Sequence, residues 1–358
     1  MPPTAIIVGA GPAGCATAVA MADRGHRVVL VGDSAARRTW AGEALPPGAA
    51  QLVASAFGSE VLDDAVHRPA HAVRAAWGSD ELVDTEFIAH PDGDGWHLDR
   101  TRFDEHLAAL AAGRGVEVIH GHAGPAERRG SGWGIPVDGH VITGAWLVDA
   151  TGRGGGPLRQ VAGERHAHDR QVALVARAPN CHSPLAATTV EAVPDGWWYT
   201  TPLPDGGVVV AMVSDHDLVP GADGRAAWWH QRLACTRFIR EVAVLDGEAE
   251  GMTPVLHAAG TAHRDRLWGD GWAMAGDAAV SWDPLSSQGL VTAVLMGSRL
   301  GAAICSRVEG DAQALPAWER DYLMLLEEHL ALRAHLWASE QRWPGEPFWD
   351  RRRALSAP

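Results

Sequence analysis

Residues 271–290 read GWAMAGDAAVSWDPLSSQGL and hold three groups with chemical potential: Gly276-Asp277, Asp283-Pro284, and the Ser-Ser-Gln-Gly turn at 286–289. A carboxylate at the end of the apolar, strand-like run 272–275 suits a ligand that presents hydroxyl groups. The turn runs into an apolar helix expected over 289–304. The first N–H groups of a helix lack intrahelical acceptors and carry partial positive charge, so a helix start suits negative charge on a ligand. Val291, Leu295 and Leu300 give this helix a buried side, and Gly297 and Gly301 allow a close neighbour.

The elements that must position these groups begin at the other end of the chain. Residues 4–33 read TAIIVGAGPAGCATAVAMADRGHRVVLVGD. Ala5 to Val8 suit a buried parallel strand, 12–24 a helix stopped by Gly25, and Val28 to Val31 the next strand. Gly9, Gly11 and Gly14 form G-x-G-x-x-G inside this strand–turn–helix–strand unit. The first glycine permits the tight turn, the second lets a pyrophosphate approach the backbone, and the third lets helix and strand pack closely. An acid is expected at the end of the second strand to hold a ribose hydroxyl. Gly32 fills that position here, and Asp33 follows one residue later.

Composition narrows the classes. At 358 residues the chain exceeds the size at which a single core usually stops growing, so two lobes are expected. A net charge of −14 argues against a nucleic-acid surface. The basic runs 37–38, 128–129 and 351–353 are short, as on ordinary solvated faces. All 30 basic side chains are arginine, which excludes chemistry that needs a lysine amine, such as a Schiff base. No apolar run reaches the length of a membrane span, no basic leader opens the chain, and four scattered cysteines form no disulfide framework. A reducing cytoplasm is the expected compartment. Alternate residues of HGH, 120–122, HAH, 166–168, and DHD, 215–217, share a strand face, but no metal-ligand pattern accompanies them, and no metal is expected. There is no G-x-S-x-G for serine hydrolysis.

With these motifs together, the chain resembles the FAD-dependent monooxygenases of the p-hydroxybenzoate hydroxylase class, and more closely their tryptophan-halogenase-like subgroup. It is also similar to the flavoproteins that modify tryptophan during quinone-cofactor maturation. The resemblance extends over residues 4–353. It implies an α/β fold with a Rossmann-type FAD-binding lobe over 1–160 and 266–305. A β-rich substrate lobe is inserted at 161–265, and a helical segment closes the chain at 306–358. It places Gly9, Gly11, Ala13 and Gly14 on the pyrophosphate, Asp33 on the ribose, and Gly276-Asp277 on the ribityl chain. Asp283, Pro284, Ser286, Ser287, Gln288 and Gly289 fall against the flavin's pyrimidine edge. Segment 41–47, AGEALPP, resembles the GE(S/A)LP stretch near the flavin and brings in Glu43. Segment 95–107, GWHLDRTRFDEHL, resembles a second signature whose arginine, here Arg100, reaches the cofactor. Arg38 is a further phosphate ligand by this reading, and Ala123 joins the cofactor set. Segment 340–353 resembles the C-terminal signature of the same group.

Substrate is expected over the β-rich middle, where Val172 to Ala176 and Val208 to Val213 are strand-like. Halogenases carry W-x-W-x-I-P where this chain has Trp197, Tyr199, Thr201 and Pro202, and they use a lysine that it lacks. Halogenation is therefore disfavoured, and hydroxylation by a flavin C4a-hydroperoxide formed from O2 needs no lysine. Trp197, Tyr199 and Trp282 are expected to line an aromatic pocket, with Glu43 or Asp283 assisting proton movement. The implied substrate is a tryptophan or another indole, free or in a peptide. Electrons are expected from NAD(P)H directly or from a separate flavin reductase, since no second G-x-G-x-x-G is present. Two alternatives are a reductase of the geranylgeranyl-reductase-like type and a non-catalytic flavoprotein that escorts a tryptophan-bearing client.

Overall fold

The runs 5–8, 28–32 and 146–148 carry no polar side chain on either face and are fully buried, which is the pattern of a parallel sheet covered on both sides. The computed structural model describes residues 4–32, 43–63, 65–178, 186–243 and 252–355. Its first sheet has six strands, in the order Trp268–Gly269, Trp272–Met274, Trp146–Asp149, Ala5–Val8, Val28–Gly32, Glu117–His120. All neighbours are parallel except the first pair. The strand before Gly276 thus lies two places from the strand before Gly9, although more than 260 residues separate them.

Two helices cover this sheet at close quarters. Pro12–Ala22 is buried along most of its length, and Gly289–Val308 lies against it. A Cβ at Gly297 would lie 2.5 Å from the Ala13 carbonyl oxygen, and one at Gly301 would lie 2.6 Å from that of Thr17. Thr17 Oγ1 donates across the crossing to the Gly297 carbonyl at 3.0 Å. The pairing of 297 with 13 and 301 with 17 makes the helices run in the same direction. Gly289–Val308 is also the helix among the described residues that is long and apolar enough to cross a membrane. Its glycine-bearing side is spent on this crossing, which makes it a core helix.

A second sheet has seven strands, in the order Val255–Ala258, Gln171–Ala178, Val208–Asp215, Gly196–Pro202, Ala187–Val193, Ala72–Ala76, Val83–Glu86. Its two faces build separate cores. Leu174, Trp198 and Met212 pack under the helices Ala222–Cys235 and Phe238–Ala243, with Trp229 and Ile239 filling the layer. Ala173, Trp197 and Val213 face the other way, toward Trp337, Phe348 and Trp349 of the C-terminal helices Ala314–Ser339 and Pro347–Leu355. Sheet membership departs from the expected division at residue 160: 72–76 and 83–86 pair into this sheet, through a parallel contact of 72–76 with 187–191. Pairing across more than 100 residues leaves no local trace.

The arginines at 351–353 close the fold. Arg352 is buried and donates to Asp215, while Arg351 bridges Asp215 and Asp217. We predict that Gly297→Ala destabilises the protein by about 1–3 kcal/mol, because the added methyl must push two helices apart. A shift of the denaturant midpoint measures this; an unchanged midpoint would mean that the crossing tolerates separation.

Candidate active site

The three glycines of the cradle do different work. Gly9 has φ +111°, and a side chain there would overlap the Ala150 carbonyl; one at Gly14 would overlap the Gly9 carbonyl. Both are required by the fold itself. Gly11 is extended, with φ −84°, and a Cβ there would meet nothing within 4 Å. Its side faces open space, so only a molecule arriving from outside needs a glycine there. Pro12 opens the helix, no side chain caps it, and the first intrahelical bond runs from Cys15 N–H to Gly11. The Ala13 and Gly14 amides are therefore the free donors of the helix start.

Gly32 also has a steric reason. A Cβ there would lie 2.6 Å from Ala10 Cβ, so the strand end gives up its acid to admit the cradle loop. Asp33 and Arg38 lie outside the described residues. Glu43 opens the strand Glu43–Leu45, which pairs antiparallel with Gly95–Leu98, Glu43 opposite Leu98; its side chain lies outside the described residues. The two signature segments are thus adjacent strands. Asp99 then caps the helix Arg100–Gly113 by accepting from Arg102 N–H at 3.0 Å. Arg100 pairs with Asp104 one turn on, at 3.1 Å. That carboxylate adds to burial in pushing up the Cys15 thiol, which places the pair beside the cradle helix. Ala123 bridges to Val137 just beyond the strand Glu117–His120.

The acid-bearing turns sit at graded distances from the cradle. A Cβ at Gly276, whose φ is +58°, would lie 2.8 Å from Ala13 Cβ and 4.0 Å from Ala293 Cβ. Ala293 is halfway between Gly297, which meets Ala13, and Gly289, where the second helix starts. At about 1.5 Å per residue, the second helix start lies about 12 Å beyond the first, with Gly276-Asp277 about midway. At the far end Asp283 accepts from Leu285 N–H at 3.1 Å and caps the short turn Pro284–Ser286. Ser287 then takes a left-handed conformation, φ +52°, that reverses the chain into the helix. Its first bond from beyond the start runs from Thr292 N–H to Gln288, which leaves the Gly289, Leu290 and Val291 amides without intrahelical acceptors.

Asp283 is a buried ion rather than an exposed acid. Burial pushes its carboxyl up, but the polar groups around it, the Arg333 guanidinium among them, outweigh that and hold it below the usual carboxylate range. Arg333 lies 3.2 Å from Asp283 and also pairs with Asp169. Arg153 lies outside the motifs named above. Its Nε lies 2.9 Å from Asp277, and its other nitrogens donate to the carbonyls of Gly260 and Trp282. It ties the Asp277 turn to the Asp283 turn. The signal was present in DATGR, 149–153, where an arginine follows a strand end beside the cradle. Asp149 fastens that loop by accepting from Thr151 N–H, Thr151 Oγ1 and Leu158 N–H.

The aromatic candidates do not converge on one pocket. Trp282 is buried in the core of the first lobe, stacked on Tyr322 and edge-on to His329. Trp197 is buried on the seven-stranded sheet against Trp77 and Tyr199. His166, His168 and His263 form a ring stack beside Asp265.

A parallel sheet, a glycine cradle, a carboxylate midway and a second helix start about 12 Å away define an FAD-binding oxidoreductase. The sequence pattern described as FAD binding domain matches residues 4–86, and that of tryptophan halogenase matches 69–358. The chain belongs to the tryptophan halogenase family of flavin-dependent oxidoreductases. LodB of Marinomonas mediterranea, named as an FAD-dependent oxidoreductase, is 27% identical, with 99% of this chain and 97% of that protein covered. The flavin-dependent halogenase armH2 of Armillaria mellea is also 27% identical, over 85% of this chain but only 66% of its own length. Among solved structures, the peptidyl tryptophan dihydroxylase QhpG, essential for tryptophylquinone cofactor biogenesis, superposes with a TM-score of 0.84 at 25% identity, covering 99% of this chain and 79% of that one. The myxobacterial chondrochloren halogenase CndH has a TM-score of 0.86 at 24% identity, covering 98% and 85%.

One titration follows from the signature strands. His97 is buried, with Nε2 3.2 Å from Thr188 Oγ1, and burial pushes its pKa from 6.5 down to about 3. The unfolded chain binds a proton there that the folded chain refuses, so stability is full above pH 6.5 and falls on acidification toward pH 3. We predict that His97→Gln loses less stability than the parent between pH 7 and pH 5. Equal losses in the two denaturant series would contradict this.

Proposed function

We propose that this flavoprotein hydroxylates the aromatic ring of a tryptophan or related indole, free or within a peptide, using O2. Electrons come from NAD(P)H or from a separate flavin reductase. The observation that carries the reading is the spacing along the paired helices: amides without intrahelical acceptors at Ala13 and Gly14, a carboxylate at Asp277 about midway, and further such amides at 289–291. FAD, when bound, supplies the redox and oxygen-activating chemistry. The chain's own contribution is to bind and to polarise. The first helix start holds the phosphates, with Gly11 giving access. Arg153 holds Asp277 in place for hydroxyl groups. The second helix start offers N–H donors to negative charge that grows on the ring during reduction, in a chain with no lysine to do so.

Hydroxylation is favoured over halogenation by the same absence, since no side-chain amine is present to carry an activated halogen. The likeness to a peptidyl tryptophan dihydroxylase, nearly full-length on this chain, supports a tryptophan substrate.

Tryptophan, simple indoles and tryptophan-containing peptides should be incubated with the purified chain, FAD, NAD(P)H, a flavin reductase, O2 and chloride or bromide. We predict a product heavier by one or two oxygen atoms, labelled from 18O2. A chlorinated or brominated product would contradict hydroxylation and restore the halogenase reading. Oxidation of the reductant without O2, with a reduced carbon–carbon double bond, would point to a reductase.

A further inference from the structure

Behind the turn Pro284–Ser286 lies a buried polar cluster formed with the helix Ala314–Ser339. Thr261 and His329 are almost fully buried, as are Asp283 and Arg333, while Ser286 is half-buried at the turn. His329 is bracketed by two hydroxyls: Thr261 Oγ1 is 3.3 Å from Nε2, and Ser286 Oγ is 3.2 Å from Nδ1. The Trp282 ring packs edge-on against the imidazole.

The direction of the protons in this chain follows from its members. Thr261 Oγ1 accepts from the Asp283 N–H at 3.2 Å and from Arg333 Nη1 at 2.9 Å. Both are donors only, so neither can take the threonine proton. His329 Nε2 is the acceptor left for it. A neutral imidazole that accepts at Nε2 carries its own proton on Nδ1 and donates it to Ser286 Oγ. The serine proton is then free to point away from the histidine. The carboxylates nearby have donors of their own. Asp169 takes Arg333 and the Gln171 and Thr261 N–H groups, and Asp283 takes Arg333 and Leu285 N–H. Asp283 Oδ2 is 3.8 Å from Nε2, beyond hydrogen-bond reach.

We propose that His329 is a positioning residue that locks Ser286 as a hydrogen-bond donor at the turn, alongside the amides of 289–291. This rests on the reading of that turn as the place where the flavin's ring edge binds. A hydroxyl that accepts from Nδ1–H keeps its own proton free for another acceptor, and a donor at this place favours the reduced, more negative state of the bound ring.

Two measurements test it. In the full-length protein labelled with 15N-histidine, long-range proton–nitrogen correlations at pH 7, assigned by loss of the signal in His329→Gln, should show the Nδ1–H tautomer. An Nε2–H tautomer or a doubly protonated ring would overturn the proposal. The midpoint potential of bound FAD should be more negative in Ser286→Ala and His329→Gln, and no lower still in the double variant. His329→Asn, whose amide places a donor where Nδ1 stood, should restore it toward the parent value. If the parent binds FAD and all variants share its potential, the proposal fails alone. If the parent takes up no FAD, the reading of the site fails and carries this proposal with it.

Discussion

The close crossing of Pro12–Ala22 and Gly289–Val308 is the constraint on which the rest of the structure depends. Gly297 and Gly301 remove the side chains that would hold the helices apart, and Thr17 Oγ1 fixes their relative height. Because both helices point the same way, their starts face the same side, offset by about 12 Å. Two positive helix ends at that separation suit a long ligand with phosphates in the middle and a redox ring at one end. Neither end alone would specify a flavin.

Much of this was legible in the sequence because local chemistry forces it. G-x-G-x-x-G between two buried strands, the small-residue stripe on the second helix, and Gly276-Asp277 after an apolar strand each carry their reason in a short window. What could not be read depends on partners far apart. Arg153 meets Gly260, Asp277 and Trp282, all more than 100 residues away. The strands 72–76 and 83–86 look no different from others of the first lobe until 72–76 pairs with 187–191 and carries 83–86 with it. Tryptophan content does not separate core from pocket: Trp197 and Trp282 are both buried, in different cores. The missing acid at Gly32 is explained only by the packing of Ala10.

The C-terminal segment gives the second sheet its other face. Trp337 is flanked by Arg333 and Arg352, whose guanidinium carbons lie 4.3 and 4.7 Å from its ring centre. Arg352 reaches Asp215 on the sheet, while Arg333 reaches Asp283 at the turn. One helix pair therefore connects the sheet assigned to substrate with the turn assigned to the flavin ring. Both arginines are buried, so each guanidinium depends on the carboxylate it reaches, and losing either partner would leave an uncompensated buried charge.

The most direct measurement of the central claim concerns Gly11, which the fold does not require and a dinucleotide does. The account predicts that Gly11→Ala shifts the unfolding midpoint of the FAD-free protein only by what a lost N-cap glycine costs, about 1 kcal/mol or less, because the added Cβ meets nothing within 4 Å. The same change should weaken FAD binding about a hundredfold or more, as the phosphate can no longer reach the backbone. FAD affinity equal to that of the parent, with the protein folded, would contradict the account.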